Sequence, residues 1–149
     1  MDLQKNIEES VEKKKHKPIL CLDFDGVLHS YTSGWKGPDV IPDPPVEGAI
    51  EFLWKATRLF DVQIFSSRSN YPGGLEAMKT WLAAWDNIHL ADLRQQGKPL
   101  PRTCLILNVT FPTTKPLAHV TLDDRAITFV GEWPTIEKLL AFKPWNRKD

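Results

Sequence analysis

Cysteine, tyrosine and methionine are scarce in this 149-residue sequence, with two of each, and net charge is absent, at a formal +0. Cys21 lies inside an apolar run and Cys104 opens another, without the paired spacings of a disulfide framework or a zinc ligand set. Both are therefore expected to be buried free thiols in a reducing compartment. Lys plus Arg and Asp plus Glu each total 19, so a basic protein that coats nucleic acid is not the default reading, while a local basic patch stays open. No apolar run reaches membrane-spanning length, and the charged first residues are unlike a signal peptide. The expectation is a soluble cytoplasmic protein with no membrane partner.

What the chain has is a core and many shaped loops. At 42% hydrophobic residues, 149 positions fill one compact domain. Six Trp and twelve Pro point to long loops with aromatic walls rather than a plain helical bundle. Residues 1–17 are polar, end in Lys13-Lys14-Lys15-His16-Lys17, and read as a solvated arm or helix ahead of a single domain over 18–149. Ile19-Leu20-Cys21-Leu22 lacks polar alternation, as a strand buried on both faces of a parallel sheet does. A long loop runs from His29 to about Pro45, and Ile50, Leu53, Trp54 and Leu59 then recur at helical spacing.

Val62 to Phe65 is predicted as a second strand, followed by a helix whose stripe is Leu75, Met78, Trp81, Leu82 and Trp85. Asn87 to Arg102 has no legible periodicity. Leu105 to Val109, Ala118 to Leu122 and Ala126 to Val130 are read as strands three, four and five, and Pro134 to Phe142 as a closing helix. Strands alternating with helices predict an α/β layered fold with a mainly parallel five-stranded sheet.

In such folds ligands bind beyond the carboxyl ends of the strands. Polar residues cluster at those places: Asp23 and Asp25 after strand one, Ser66, Ser67 and Arg68 after strand two, and Asp123 and Asp124 after strand four. Lys115 lies in the loop just before strand four. Gly26 permits a tight turn and a close backbone approach. Carboxylates crowded this way repel one another, and a hard cation such as Mg²⁺ with oxygen ligands relieves that repulsion. A lone Asp-x-Asp-Gly is common in turns, and the chain lacks the remaining ligand ladder of an EF-hand. The weight rests on the four signals occurring together.

Asp23-Phe24-Asp25-Gly26-Val27, Ser66, Lys115 and Leu122-Asp123-Asp124, in this order, resemble the four motifs of the haloacid-dehalogenase-like (HAD) superfamily. The resemblance runs from about Lys17 to the last helix and is closest to the small capless phosphatase type. It implies a Rossmannoid three-layer sandwich with no cap domain. It also implies Asp23 as nucleophile, Asp25 as acid and base, and Lys115 as the cation that neutralises charge at the phosphate. Ser66, with Ser67 and Arg68, would bind the phosphate. Mg²⁺ would be held by the Asp23 carboxylate, the Asp25 carbonyl and the Asp123-Asp124 pair. Asp124 is the preferred direct ligand, although the reverse assignment fits the same motif. Retention of the second Asp resembles the phosphatases rather than the dehalogenases.

The implied substrate is a phosphomonoester, either a small molecule or a nucleic-acid end. Ser66-x-Arg68 and Asp123-Asp124-Arg125 resemble the phosphatase domain of polynucleotide kinases, which removes 3′-phosphates. Tyr31, Trp35 and Lys36 in the long loop are equally readable as substrate contacts or as residues that pin their own loop. A capless site is also one that another subunit of the same chain can close. The alternative of another class is a non-catalytic phosphate-binding module on the same scaffold.

Overall fold

The computed structural model describes residues 3–6 and 17–147. The polar arm expected over 1–17 lies outside them, except for 3–6, which are helical, and Lys17, whose ammonium donates to the Thr57 carbonyl at 3.0 Å. Strand β1 (Ile19–Leu22) is followed by helix α1 (Ala49–Ala56), strand β2 (Asp61–Ile64) and helix α2 (Gly74–Gln95). The short strands β3 (Val109–Thr110) and β4 (Val120–Leu122) and the short helix α3 (Ile136–Leu140) complete the order. All strand pairs are parallel, in the spatial order β3-β2-β1-β4.

Register explains the core. Leu20 pairs with Val62 and Leu22 with Ile64, so these four side chains share one face, and each is at most 4% exposed. Ala49, Ile50, Leu53 and Ala56 of α1 recur at helical spacing and pack onto that face with Met78, Trp81 and Leu82 of α2. The buried Asp86 carboxylate links the layers by accepting the Trp54 indole N–H at 2.7 Å and the Leu105 amide at 3.1 Å. α2 extends through the unreadable stretch to Gln95. Its first residue, Gly74, lies so close to the preceding turn that a Cβ there would meet the Arg68 carbonyl at 1.9 Å.

Several expectations are corrected. Leu105–Leu107 is a 3₁₀ turn rather than a strand. The Leu105 amide is taken by Asp86, and the Asn108 side chain closes on the Cys104 carbonyl at 2.8 Å, which leaves only Val109–Thr110 to pair with β2. No strand forms over Ala126 to Val130, where Ile127, Phe129 and Val130 are 43%, 56% and 78% exposed, so the described sheet has four strands and not five. Cys21 is buried, but Cys104 is exposed; both are free. Leu59 lies beyond α1 and is exposed. The closing helix is the five residues of α3, started by the Thr135 hydroxyl accepting from the Lys138 amide, and none of its residues is buried. Helices α1 and α2 thus form one packed layer, while α3 does not supply a second. Among the described residues no helix is long and apolar enough to cross a membrane.

Candidate active site

The chain steps outward from β1 to β2 to β3, then returns to place β4 on the other side of β1. The strand order therefore reverses between β1 and β4, and the carboxyl ends flanking that reversal form the crevice where open α/β sheets bind ligands. Asp23 follows β1 and Asp123 follows β4, so both reach this crevice directly. Two backbone bonds fix the strand ends together: the Asp23 amide to the Leu122 carbonyl and the Phe65 amide to the Leu22 carbonyl, each 3.0 Å.

Asp23, Asp123 and Asp124 converge there, each offering an oxygen within 4.8 Å of the others. The Asp23 Oδ1 accepts the Phe24 amide at 2.8 Å. Gly26 has φ 82°, and a Cβ on it would lie 2.2 Å from Asp124 Oδ2, so only glycine admits this packing of turn and carboxylate. Asp124 Oδ1 is buried with no hydrogen-bond partner. Burial raises the Asp23 pKa to about 8, helped by a hydrogen bond to Asp124 and by the charges of Asp123 and Asp124, against the opposing Phe24 amide. An orphaned buried carboxylate oxygen on Asp124 and an Asp23 carboxyl that holds its proton both fit a bound hard cation. Three carboxylates offer the oxygen ligands that a hard cation takes.

This electrostatic arrangement has a measurable pH signature. The folded-state pKa of Asp23 lies near 8, against 3.8 for an ordinary aspartate, so the folded protein keeps a proton that the unfolded chain releases between those values. Stability without metal is therefore expected to fall as pH rises from about 4 to about 8 and to level off above. A cation replaces that proton, so the rise in Tm produced by Mg²⁺ should be larger at pH 8.5 than at pH 6. Scanning calorimetry checks both trends; melting at pH 8.5 that ignores Mg²⁺ would remove the cation site.

Beside the acid cluster lies a cavity of about 170 Å³, reached by Asp23, Asp123, Lys115, Ser66, Ser67 and Thr121. That is the room of roughly five or six waters, enough for a phosphoryl group and a small hydration shell. The Ser66 Oγ accepts the Arg68 amide at 3.2 Å, while the Ser66 amide donates to the Ser69 Oγ at 3.0 Å, a reciprocal cap that fixes Ser66 and leaves its own O–H free to donate. Asn70 steadies the loop that carries Lys115 by donating from Nδ2 to the Thr113 carbonyl at 2.9 Å.

Two predicted residues stand elsewhere. Arg68 is fully buried and does not line the cavity. Its Nε donates to Asp25 Oδ2 at 2.8 Å, and its Nη1 donates to the carbonyls of Gly37, Pro38 and Val40 at 2.8, 2.9 and 3.2 Å. The Trp35 ring covers its guanidinium at 4.7 Å. Arg68 thus anchors the long loop and orients Asp25. The Asp25 carboxylate is not part of the acid cluster; its other oxygen, Oδ1, meets His29 Nδ1 at 2.8 Å. His29 is fully buried, and its Nε2 accepts the Asp43 amide at 3.1 Å. In the neutral ring the proton must then sit on Nδ1, pointing at Asp25.

Sequence reasoning passed over His29, Asp43, Asn70 and Trp145, whose indole N–H donates to the Gly26 carbonyl at 2.9 Å. Apart from the His29–Asp25 pair their partners lie 10 to 119 positions away, and no local pattern marks them. Tyr31 packs its ring edge against His29, and Trp35 packs against Tyr71 as well as Arg68, so both loop aromatics help to hold the loop down. No protein-family model, curated protein or solved structure matches this chain.

Proposed function

We propose that this chain is a Mg²⁺-dependent phosphomonoester hydrolase of the HAD type, acting through an aspartyl-phosphate on Asp23. The observation that carries this reading is the meeting of Asp23, Asp123 and Asp124 at the strand-order reversal, beside a small cavity edged by Lys115 and Ser66. An Asp23 oxygen attacks phosphorus, and the bond from phosphorus to the leaving oxygen breaks. Water then attacks the phosphorus of the acyl phosphate, releasing inorganic phosphate and restoring Asp23. Mg²⁺, held by Asp23 with Asp124 or Asp123 and by the Asp25 carbonyl, would supply charge neutralisation that lets the carboxylate approach an anionic phosphate. The Lys115 ammonium and the Ser66 hydroxyl would stabilise the equatorial oxygens.

Asp25 manages the proton in this reading, giving it to the leaving oxygen and later taking one from water. As folded, its Oδ1 faces His29 Nδ1 and its Oδ2 accepts from Arg68 Nε, so Asp25 carries a proton to the leaving oxygen only once one of these oxygens has given up its partner. Its contribution should depend on the leaving group. Asp25→Asn is expected to retain much of the activity toward a nitrophenyl phosphate, whose leaving group needs no proton. It should lose about 10²-fold or more toward an alkyl phosphate. Equal losses on both substrates would remove the proton-transfer role.

The reading of nucleic-acid ends as substrate loses one support, since the buried Arg68 is engaged within its own chain and is not offered to a phosphate. The exposed pair Trp35 and Tyr71, 6.1 Å between ring centres, is what remains for stacking a base. A panel of 3′-phosphorylated oligonucleotides, mononucleotides, sugar phosphates and phosphopeptides separates these substrates. Phosphate binding without turnover of any of them would favour the non-catalytic module.

A further inference from the structure

A parallel sheet is normally covered on both faces, and its strands owe their apolar composition to that burial. β4 is uncovered. Val120 and Leu122 stand in register with Leu20 and Leu22, so they point to the face where α1 and α2 pack. Leu20 and Leu22 are 4% and 0% exposed there, but Val120 and Leu122 are 44% and 42% exposed. The helical layer stops short of this edge.

The missing cover has a counterpart. α3 presents Ile136, Leu139 and Leu140 at 66%, 44% and 83% exposure and buries nothing. A five-residue helix does not hold in water by its own hydrogen bonds; it needs an apolar face to pack on. Among the described residues, each chain thus carries a strand face without a helix and a helix without a sheet. We propose that two copies of this chain pair by reciprocal exchange, the α3 of each lying over the β4 of the other.

The chain can make this crossing. Thirteen residues, 123–135, join β4 to α3 with no regular secondary structure between them, and extended they would reach roughly 40 Å. Trp145, just past α3, is bonded to the Gly26 carbonyl of its own chain, so α3 stays within roughly 17 Å of that turn and the partner's β4 comes to it. The contact is isologous, so it closes at two copies and leaves no open end. Together with Phe129, Val130 and Trp133, the five side chains of β4 and α3 offer on the order of 900 Å². That matches the area that one partner contributes to a stable interface. Charge favours a like partner too. Glu132, Glu137, Lys138 and Lys143 balance one another around the patch, giving no single-sign field to attract nucleic acid or an acidic peptide.

Light scattering on the size-exclusion peak at micromolar concentration should give twice the 17.0 kDa chain mass. The double variant Ile136→Lys with Leu140→Lys should elute at the single-chain mass, with its main unfolding transition retained. A wild-type monomer across the concentration range would overturn the proposal, as would a double variant that stays dimeric. Should the double variant fail to fold, cysteine pairing decides. In a Cys104→Ser background, chains with Leu122→Cys are mixed with chains carrying Leu139→Cys and oxidised. Disulfides joining unlike chains are expected. If a chain bearing both cysteines closes on itself as a monomer instead, α3 covers its own β4 and the exchange is wrong. None of these readouts depends on phosphatase activity.

Discussion

Asp23→Asn is expected to lower Mg²⁺-dependent hydrolysis of an aryl phosphate at least roughly 10³-fold, because an amide cannot form the acyl phosphate. The same substitution should leave the metal-free protein as stable as the parent at pH 8, or more so. The Asn side-chain carbonyl can still accept the Phe24 amide, while its NH₂ can donate to the Asp124 carboxylate. One member of a crowded, desolvated acid cluster is thereby replaced by a neutral group that satisfies it. Loss of turnover without loss of stability separates a nucleophile from a structural aspartate. Steady-state rates and calorimetry on the same preparation make the comparison. Activity equal to the parent would remove Asp23 from the chemistry.

Arg68→Ala is expected to destabilise the fold by about 3–5 kcal/mol, the usual consequence of removing one partner of a buried ion pair. The side chain is fully buried and serves the Asp25 carboxylate and the carbonyls of Gly37, Pro38 and Val40 at once. Without it these acceptors lose their donor, and Trp35 loses the cation beneath its ring. A chain of this size should then melt roughly 10 °C lower. Arg68→Lys should recover little, because one ammonium cannot reproduce a planar fork that bonds a carboxylate along one edge and three carbonyls along another. Denaturant unfolding monitored by tryptophan fluorescence measures the difference. A loss under 1 kcal/mol would show that the long loop is anchored by other contacts.

These two residues also mark what the sequence discloses and what it withholds. The place of the Asp23 segment was readable because β1 is a short unbroken apolar run and the polar residues begin where it stops. Its position in the crevice follows from one strand register. The acid cluster was readable for the same reason at the end of β4. Arg68 was misread as a substrate ligand because its place after strand two suggests the cavity; its side chain turns instead to backbone carbonyls some 30 residues back. Such carbonyls carry no sequence signal. His29 was invisible on similar grounds, since its second ring nitrogen is satisfied by a backbone amide 14 residues away.

The strand errors have a different origin. Leu105-Ile106-Leu107 has strand composition, but a buried carboxylate on α2 takes the amide that a strand neighbour would need. Ala126 to Val130 is apolar enough for a strand, yet no described strand pairs with it, and apolarity alone does not distinguish a buried strand from an exposed contact surface. The long α2 was truncated in the sequence reading because beyond Asp86 its exposed face offers no stripe to follow.

The most direct test of Asp23 as nucleophile is to trap the intermediate. Protein incubated with a radiolabelled phosphomonoester and Mg²⁺, quenched in acid and digested, should yield a labelled peptide containing Asp23 whose label hydroxylamine removes, as it does from an acyl phosphate. The label should be absent from Asp23→Asn. Rapid turnover with no labelled peptide, or with the label on any other residue, would contradict the proposed chemistry.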